Sequence, residues 1–126
     1  MIIGIGVDII EVERIKDILS KRGELFKQKV FSLSECEYCD KKTNSYMHYA
    51  ARFAAKEAFA KAIGTGLMTD GISFIDIIVE KDDKGNPDIA LKGNAQELFK
   101  KLGGTRIHLS ISHTETNAAA FVIIEG

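Results

Sequence analysis

The stretch SYMHYAARFAAKEAFAKAI, residues 45–63, constrains the fold more than any other part of the chain. It has no proline, and seven of the residues between Ala50 and Ala62 are alanine, the residue with the highest helix propensity. Gly64-Thr65-Gly66 follows as a strong termination signal. The pattern predicts a long helix from about Ser45 to Ile63. So many short side chains also imply that another element approaches this helix closely.

The flanking segments predict shorter elements. Ile2–Val7 reads as a short buried strand with Ile3, Ile5 and Val7 on one face. Asp8 then begins a helix whose apolar stripe is Val12, Ile15, Ile18 and Leu19 and whose stop is Gly23. After Glu24–Phe31, Ser34 and Glu37 have capping-box spacing for a second, short helix. Ile72–Glu80 alternates roughly like a strand, D-D-K-G-N-P is a turn and D-I-A-L a short partner strand. Asn94–Leu102 makes a small helix closed by Gly103-Gly104. R-I-H-L-S-I-S and A-A-A-F-V-I-I-E are two strands around a turn at His113–Asn117. Helices early and hairpins late predict an α+β fold rather than alternating α/β. No repeat, linker or low-complexity segment interrupts the chain, so residues 1–126 read as a single domain.

A chain of 126 residues, 45% hydrophobic, builds a real but modest core, and such domains often bury more surface by oligomerising. The net charge of −1 argues against a globally basic nucleic-acid binder. Nothing approaches a transmembrane span, and Ile2–Ile10 is too short and lacks the basic flank of a signal peptide. With two unforced cysteines, the expected compartment is the cytoplasm. Cys36 and Cys39 form a C-x-x-C, at most half of a zinc site. Glu35, Glu37 and Asp40 crowd this pair and disfavour the thiolate a redox motif needs, so ordinary helix cysteines are expected.

A few polar residues stand out. Asp8 lies in an apolar run, and D-I-I-E has capping-box spacing, so its carboxylate can simply cap a helix. Alternatively, an element junction pins a carboxylate where a metal can use it, with Gly4 and Gly6 leaving that side of the strand open to a ligand or a neighbouring backbone. Glu57 and Lys61 have the favourable i,i+4 order and read as a pair beside Phe53. Arg52 and Lys56 share that spacing but are like-charged, which costs stability unless an anion lies near them. His113, in S-I-S-H-T, reads as a hydrogen-bonded histidine or, with Ser110, Ser112 and Thr114, as a phosphate-contacting edge. There is no P-loop, G-x-G-x-x-G or nucleophile elbow. Arg14, Lys16, Lys21, Arg22, Lys27 and Lys29 outnumber Asp17 and Glu24, a positive patch that is either a solvated face or a dock for an acidic partner.

Together GIGVDIIEVERI, F-S-L-S-E, ARFAAKEAFAKAIGTG and the late S-I-S-H-T before an alanine-rich strand resemble the holo-acyl-carrier-protein synthase family, the short bacterial type of 4′-phosphopantetheinyl transferase. The resemblance runs in order over nearly the whole chain; V-D near the start with F-x-x-K-E-A-x-x-K about fifty residues later is its specific part. It implies an α+β fold, mainly antiparallel sheet packed against one long helix. It also implies magnesium-dependent transfer of 4′-phosphopantetheine from coenzyme A to a serine of apo-acyl carrier protein. Adenosine 3′,5′-bisphosphate is then released, and the reaction supports fatty acid biosynthesis. The family is typically homotrimeric, with active sites between neighbouring subunits.

Matched by motif, Asp8 and Glu57 correspond to the family's metal carboxylates, and Lys61 to its phosphate-contacting lysine. Gly64 closes the same motif beside the coenzyme. Arg52, His113 and Thr114 fall where the family grips the nucleotide from the adjacent chain, and Pro87 lies in the hairpin near the adenine. Arg14, with Lys21 and Arg22, matches the helix that docks acyl carrier protein. Longer members of the superfamily carry a further acid two residues after the aspartate. Ile10 stands there here, leaving two protein carboxylates, a number that suits magnesium bound largely through substrate phosphates. Either Glu57 or a metal-bound water would take the serine proton. Two rival readings are a trimeric scaffold that holds coenzyme A or a nucleotide without transfer, and a magnesium-dependent nucleotide hydrolase needing no carrier protein.

Overall fold

The alanine-rich segment forms the central helix of a computed structural model that describes residues 1–64 and 72–126. In chain order the elements are β1 (Ile2–Glu11), α1 (Val12–Val30), α2 (Leu33–Asp40), α3 (Ser45–Ala62), a 3-10 turn (Phe74–Asp76), β2 (Ile77–Lys81), β3 (Pro87–Leu91), α4 (Gly93–Lys101), β4 (Arg106–His113) and β5 (Asn117–Glu125). The strands form an antiparallel three-stranded sheet, ordered β1-β5-β4, and a β2-β3 hairpin. This is the expected α+β arrangement, with α3 packed on β1 and β5.

Close approach is what the small residues accomplish. A methyl group on Gly4 or Gly6 would run into the carbonyl oxygen of Ala62 or Ala58 respectively, so β1 lies backbone-to-backbone on α3. Ala118 and Ala120 of β5 face the same helix and are buried with Ala54, Ala55 and Ala58. Dispersion across so short a gap needs this match, because a void smaller than water forfeits the contact outright. Around the seam, Ile15, Tyr49, Phe59, Ile77, Val122 and Ile124 complete the core.

The structure corrects several local expectations. Asp8 does not start a helix: β1 continues to Glu11, and α1 begins at Val12 without a side-chain cap. Ile3, Ile5 and Val7 share a face, but it is the solvent face, at 40, 59 and 57% exposure; the glycine side is buried. Gly23 does not end α1. The helix kinks at Arg22 (φ −140°, ψ 35°) and runs on to Val30, where edge-to-face contacts of Phe26 and Tyr49 with Phe31 hold it. The capping box is Ser32 with Glu35, not Ser34 with Glu37: Ser32 Oγ accepts from Glu35 N, and the Glu35 carboxylate accepts from Ser32 N. The first part of the Ile72–Glu80 segment is the 3-10 turn, so the strand is Ile77–Lys81. Of the termination signal, Gly64 takes the left-handed φ of +82° at the end of α3; Thr65 and Gly66 lie outside the described residues.

The anion expected near Lys56 is Glu35. Both side chains are fully buried, with Lys56 Nζ donating to Glu35 Oε1 at 2.8 Å, Phe74 O at 2.9 Å and Ile77 O at 2.6 Å. Val79 N donates to Glu35 Oε2 at 3.1 Å. Burial pulls the Lys56 ammonium below its usual range, and Glu35 opposes that shift. One ion pair thereby ties α2, α3 and the start of β2 together. The cysteines are free, and burial raises both thiols, Cys39 to about 12, so neither is a reactive thiolate.

Candidate active site

Side-chain alternation along β1 turns Gly4, Gly6, Asp8 and Ile10 toward α3. The glycines bring the strand onto the helix, and Asp8, two residues farther, projects where the helix carries Glu57 and Lys61. Lys61 Nζ donates to Asp8 Oδ1 at 3.1 Å and to the Val7 carbonyl at 3.0 Å. The expected Glu57–Lys61 ion pair is thus replaced by one from Lys61 to β1. Glu57, half-buried one turn earlier, has its carboxyl raised by desolvation and then by the neighbouring Asp8 charge, with Lys61 offsetting part of this.

Two carboxylates that repel each other, sharing a single lysine, form a hard oxygen donor set that a divalent cation would relieve. No group of three or more acidic, histidine or cysteine side chains is placed to hold a metal ion among the described residues. Two carboxylates are a donor set of the kind magnesium takes, since it binds through one or two of them and completes its shell with water and phosphate oxygens. Gly64, exposed and with open space where a side chain would project, ends the helix just beyond Lys61.

A second cluster lies on another flank of α3. Arg52 and Glu57 are five residues apart, roughly 140° around the helix. Arg52, Pro87 and His113 line one cavity of about 170 Å³, together with Tyr38, His48 and Lys81. His113 ends the β4 row that carries Ile107, Leu109 and Ile111 onto the core, and its ring meets His48 at 5.6 Å. Arg52 is 6% exposed, makes no ion pair among the described residues, and leaves its buried Nε without a hydrogen-bond partner. Burial holds the His48 imidazole below its usual range, and His113, Arg52, Lys42 and Lys81 push the same way. Thr114 turns elsewhere: its Oγ1 accepts from Thr116 N and Asn117 N and closes the β4–β5 turn.

The expected nucleotide residues thus gather, Thr114 excepted, but apart from Asp8, Glu57 and Lys61. Tyr38, His48 and Lys81 were not anticipated. His48 had a signal, since i,i+4 spacing places it on the Arg52 face of the helix. Tyr38 and Lys81 come from other elements and had none. On α1, Lys21 and Arg22 line a groove of about 490 Å³ with Ile18, Leu25, Phe26 and Lys29, and Arg14 lies exposed two turns before Lys21. Leu25, 63% exposed, gives this basic surface an apolar centre.

Comparison with known proteins bears on these clusters. The family description "4′-phosphopantetheinyl transferase superfamily" matches residues 4–122. A holo-[acyl-carrier-protein] synthase of Halothermothrix orenii is 53% identical over 99% of this chain and 98% of its own. The crystal structure of holo-[acyl-carrier-protein] synthase from Neisseria meningitidis superposes with a TM-score of 0.91 at 35% identity, covering 100% of both chains. A Bacillus anthracis holo-(acyl-carrier-protein) synthase in complex with CoA (3′,5′-ADP) gives a TM-score of 0.80 at 37% identity, over 98% of this chain and 96% of the other.

Proposed function

The chain belongs to the 4′-phosphopantetheinyl transferase superfamily, as an enzyme of the holo-[acyl-carrier-protein] synthase kind, and from that premise we propose how its residues perform the transfer. The substrates are coenzyme A and an apo-acyl carrier protein. The serine oxygen of the carrier attacks the β-phosphorus of coenzyme A, its hydroxyl proton passing to the Glu57 carboxylate or to a water beside it. The new bond is serine oxygen to phosphorus; the bond broken joins that phosphorus to the oxygen bridging to adenosine 3′,5′-bisphosphate, which leaves. The observation that carries this reading is the junction of Asp8 with Glu57 and Lys61 across the β1–α3 seam.

Asp8 and Glu57 would hold magnesium, whose chemistry here is to neutralise developing charge on phosphate oxygens. Lys61, half-exposed and already oriented by two hydrogen bonds to β1, adds a fixed positive charge at the same place. Transfers of this type depend mostly on positioning and electrostatics, and the rigid strand–helix contact supplies the positioning. Arg52, His113 and Pro87 hold the nucleotide end. Gly64 leaves room for the chain of the coenzyme beside the helix end, and Thr114 stabilises the turn that presents His113.

A homotrimer with sites between subunits is part of the reading. Two features support it. The nucleotide cavity and the carboxylates occupy different flanks of α3, so a neighbouring copy can bring its cavity to this chain's carboxylates. Ile3, Ile5, Val7 and Ile9 also form an exposed apolar row on β1, beside Phe121 of β5, that a partner would cover. The carrier docks on α1 through Arg14, Lys21 and Arg22, opposite its own acidic surface. We assign the enzyme to the cytoplasm and to fatty acid biosynthesis; no helix among the described residues is long and apolar enough to cross a membrane.

The test is incubation with apo-acyl carrier protein, coenzyme A and magnesium, read by mass spectrometry. The wild type adds one phosphopantetheine per carrier, while Asp8→Ala and Glu57→Ala each abolish the shift and remain folded. Full modification by either variant would refute the carboxylate assignment. Consumption of coenzyme A without carrier would favour hydrolysis, and binding without turnover a scaffold.

A further inference from the structure

Tyr38, on α2, is the unassigned residue around which the cavity's cations are arranged. The Arg52 guanidinium stacks on its ring with Cζ 4.1 Å from the centroid. Lys42 and Lys81 approach the same ring at 4.8 and 5.0 Å, and His48 meets it edge-on at 5.8 Å. Burial alone would raise the Tyr38 phenol, yet Lys81, Lys42 and Arg52 bring it below its ordinary value. The potential at this ring is therefore strongly positive, and Glu80, exposed at the rim, is the acidic group lining the cavity.

Arg52 is the notable member. A buried guanidinium is normally paired with a carboxylate, because an uncompensated buried cation is costly. Here the aromatic face substitutes, since a ring stabilises a cation without occupying its N–H groups. The hydrogen-bonding capacity of Arg52 is left for something from outside. The cavity, with its cations and no buried acid, is suited to a compact dianion. On coenzyme A the diphosphate belongs with Asp8 and Glu57, which leaves the 3′-phosphomonoester as the dianion available.

Resting on the transferase reading, in which this cavity already holds the nucleotide end of coenzyme A, we propose that Tyr38 is a positioning residue for the substrate: its ring seats Arg52 and gathers Lys81 beside it, and so sets how tightly the 3′-phosphate is held. Tyr38 acts through Arg52 and has no part in the chemical step. Its loss should therefore raise KM for coenzyme A and leave kcat unchanged.

The experiment titrates coenzyme A and 3′-dephospho-coenzyme A into wild type, Tyr38→Leu, Tyr38→Phe and Lys81→Ala, with steady-state transfer to apo-acyl carrier protein in parallel. Tyr38→Leu is expected to weaken coenzyme A about tenfold, the range of a desolvated cation–π contact, and to leave the dephospho form unmoved. Tyr38→Phe keeps the ring and should stay within about threefold of wild type. Lys81→Ala, at an exposed position where folding is not at stake, should narrow the ratio between the two ligands in the same direction. Equal weakening of both ligands by Tyr38→Leu would show a merely structural residue and overturn the proposal, as would unchanged coenzyme A affinity. Wild type that binds both ligands equally would overturn the assignment of the cavity to the 3′-phosphate. Wild type that binds no coenzyme A at all would overturn the transferase reading itself, and the proposal with it.

Discussion

Replacing Gly6 with alanine should damage both stability and catalysis, through one displacement. The added methyl would lie far inside contact distance of the Ala58 carbonyl oxygen, 2.8 Å from Ala62 N and 3.0 Å from the Ala58 carbonyl carbon. All three are backbone atoms of α3, so no side chain can rotate away; strand or helix must shift by roughly 1 Å to restore contact distance. Overpacking of this kind costs about 1–3 kcal/mol, a fall in Tm on the order of 4–11 °C for a domain of this length. Asp8 is two residues along the same strand, on the same face. The shift therefore carries its carboxylate away from Glu57 and Lys61, and a misplacement of that size costs about 100-fold in rate. Gly23→Ala is the control, since nothing lies within 4 Å of its added methyl and alanine gains about 1 kcal/mol of helix propensity. Urea denaturation and the initial rate of mass shift on apo-acyl carrier protein measure the two effects. A Gly6→Ala protein within 0.5 kcal/mol of wild type by the usual surface tolerance (about ±0.5 kcal/mol), with an unchanged rate, would refute the backbone-contact argument.

Lys56→Met should lose about 3–5 kcal/mol by urea denaturation, because Glu35 would stay buried without its cation. Adding Glu35→Gln to that variant should recover part of the loss; a double variant no more stable than the single one counts against the pair. Cys39, raised to about 12 by burial, should alkylate at pH 8 roughly a thousandfold more slowly than an ordinary thiol. Because its folded pKa is the higher one, this thiol's contribution to stability is intact below the ordinary thiol range and falls away between pH 9 and about 12. Iodoacetamide labelling followed by mass spectrometry should find it modified only after unfolding. Charge reversal by Arg14→Glu should weaken carrier binding steeply at low salt and much less at high salt; equal loss at both would argue against docking on α1.

Local preferences made α3 legible: alanine density, the absence of proline and a terminal glycine all pointed to a helix ending at about Ile63, one residue past its observed end at Ala62. The same alanines announced a close neighbour. Its identity was half legible: Gly4 and Gly6 left one side of β1 open to a neighbouring backbone, which is that of α3, although the larger side chains of Ile3, Ile5 and Val7 invite the opposite facing. D-I-I-E fits a helix cap in spacing, but cross-strand pairing of Asp8 with Ala120 and Glu11 with Asn117 outweighs one cap. Ser32 and Ser34 each precede a glutamate by three residues, and what distinguishes them is Lys56, twenty-one residues beyond Glu35. Asp8, Glu57 and Lys61 could be singled out because V-D and K-E-A-x-x-K are contiguous motifs, and the fold brings the three together. The cation cavity was not, because α2, α3, the β2–β3 hairpin and β4 each supply part of it.

The pairing of β1 with β5 has a consequence for how the protein is made. Ile2 pairs with Glu125 and Glu11 with Asn117, so β5 fills the centre of its sheet only after the four other strands have been made. β1 emerges from the ribosome about a hundred residues ahead of its partner, and contacts of such sequence separation form late and slowly. Until then its isoleucines are exposed on both the nascent edge and the apolar face. A chain stalled before β5 therefore carries Asp8, Glu57 and Lys61 but lacks the strand that joins β1 to β4 in the sheet.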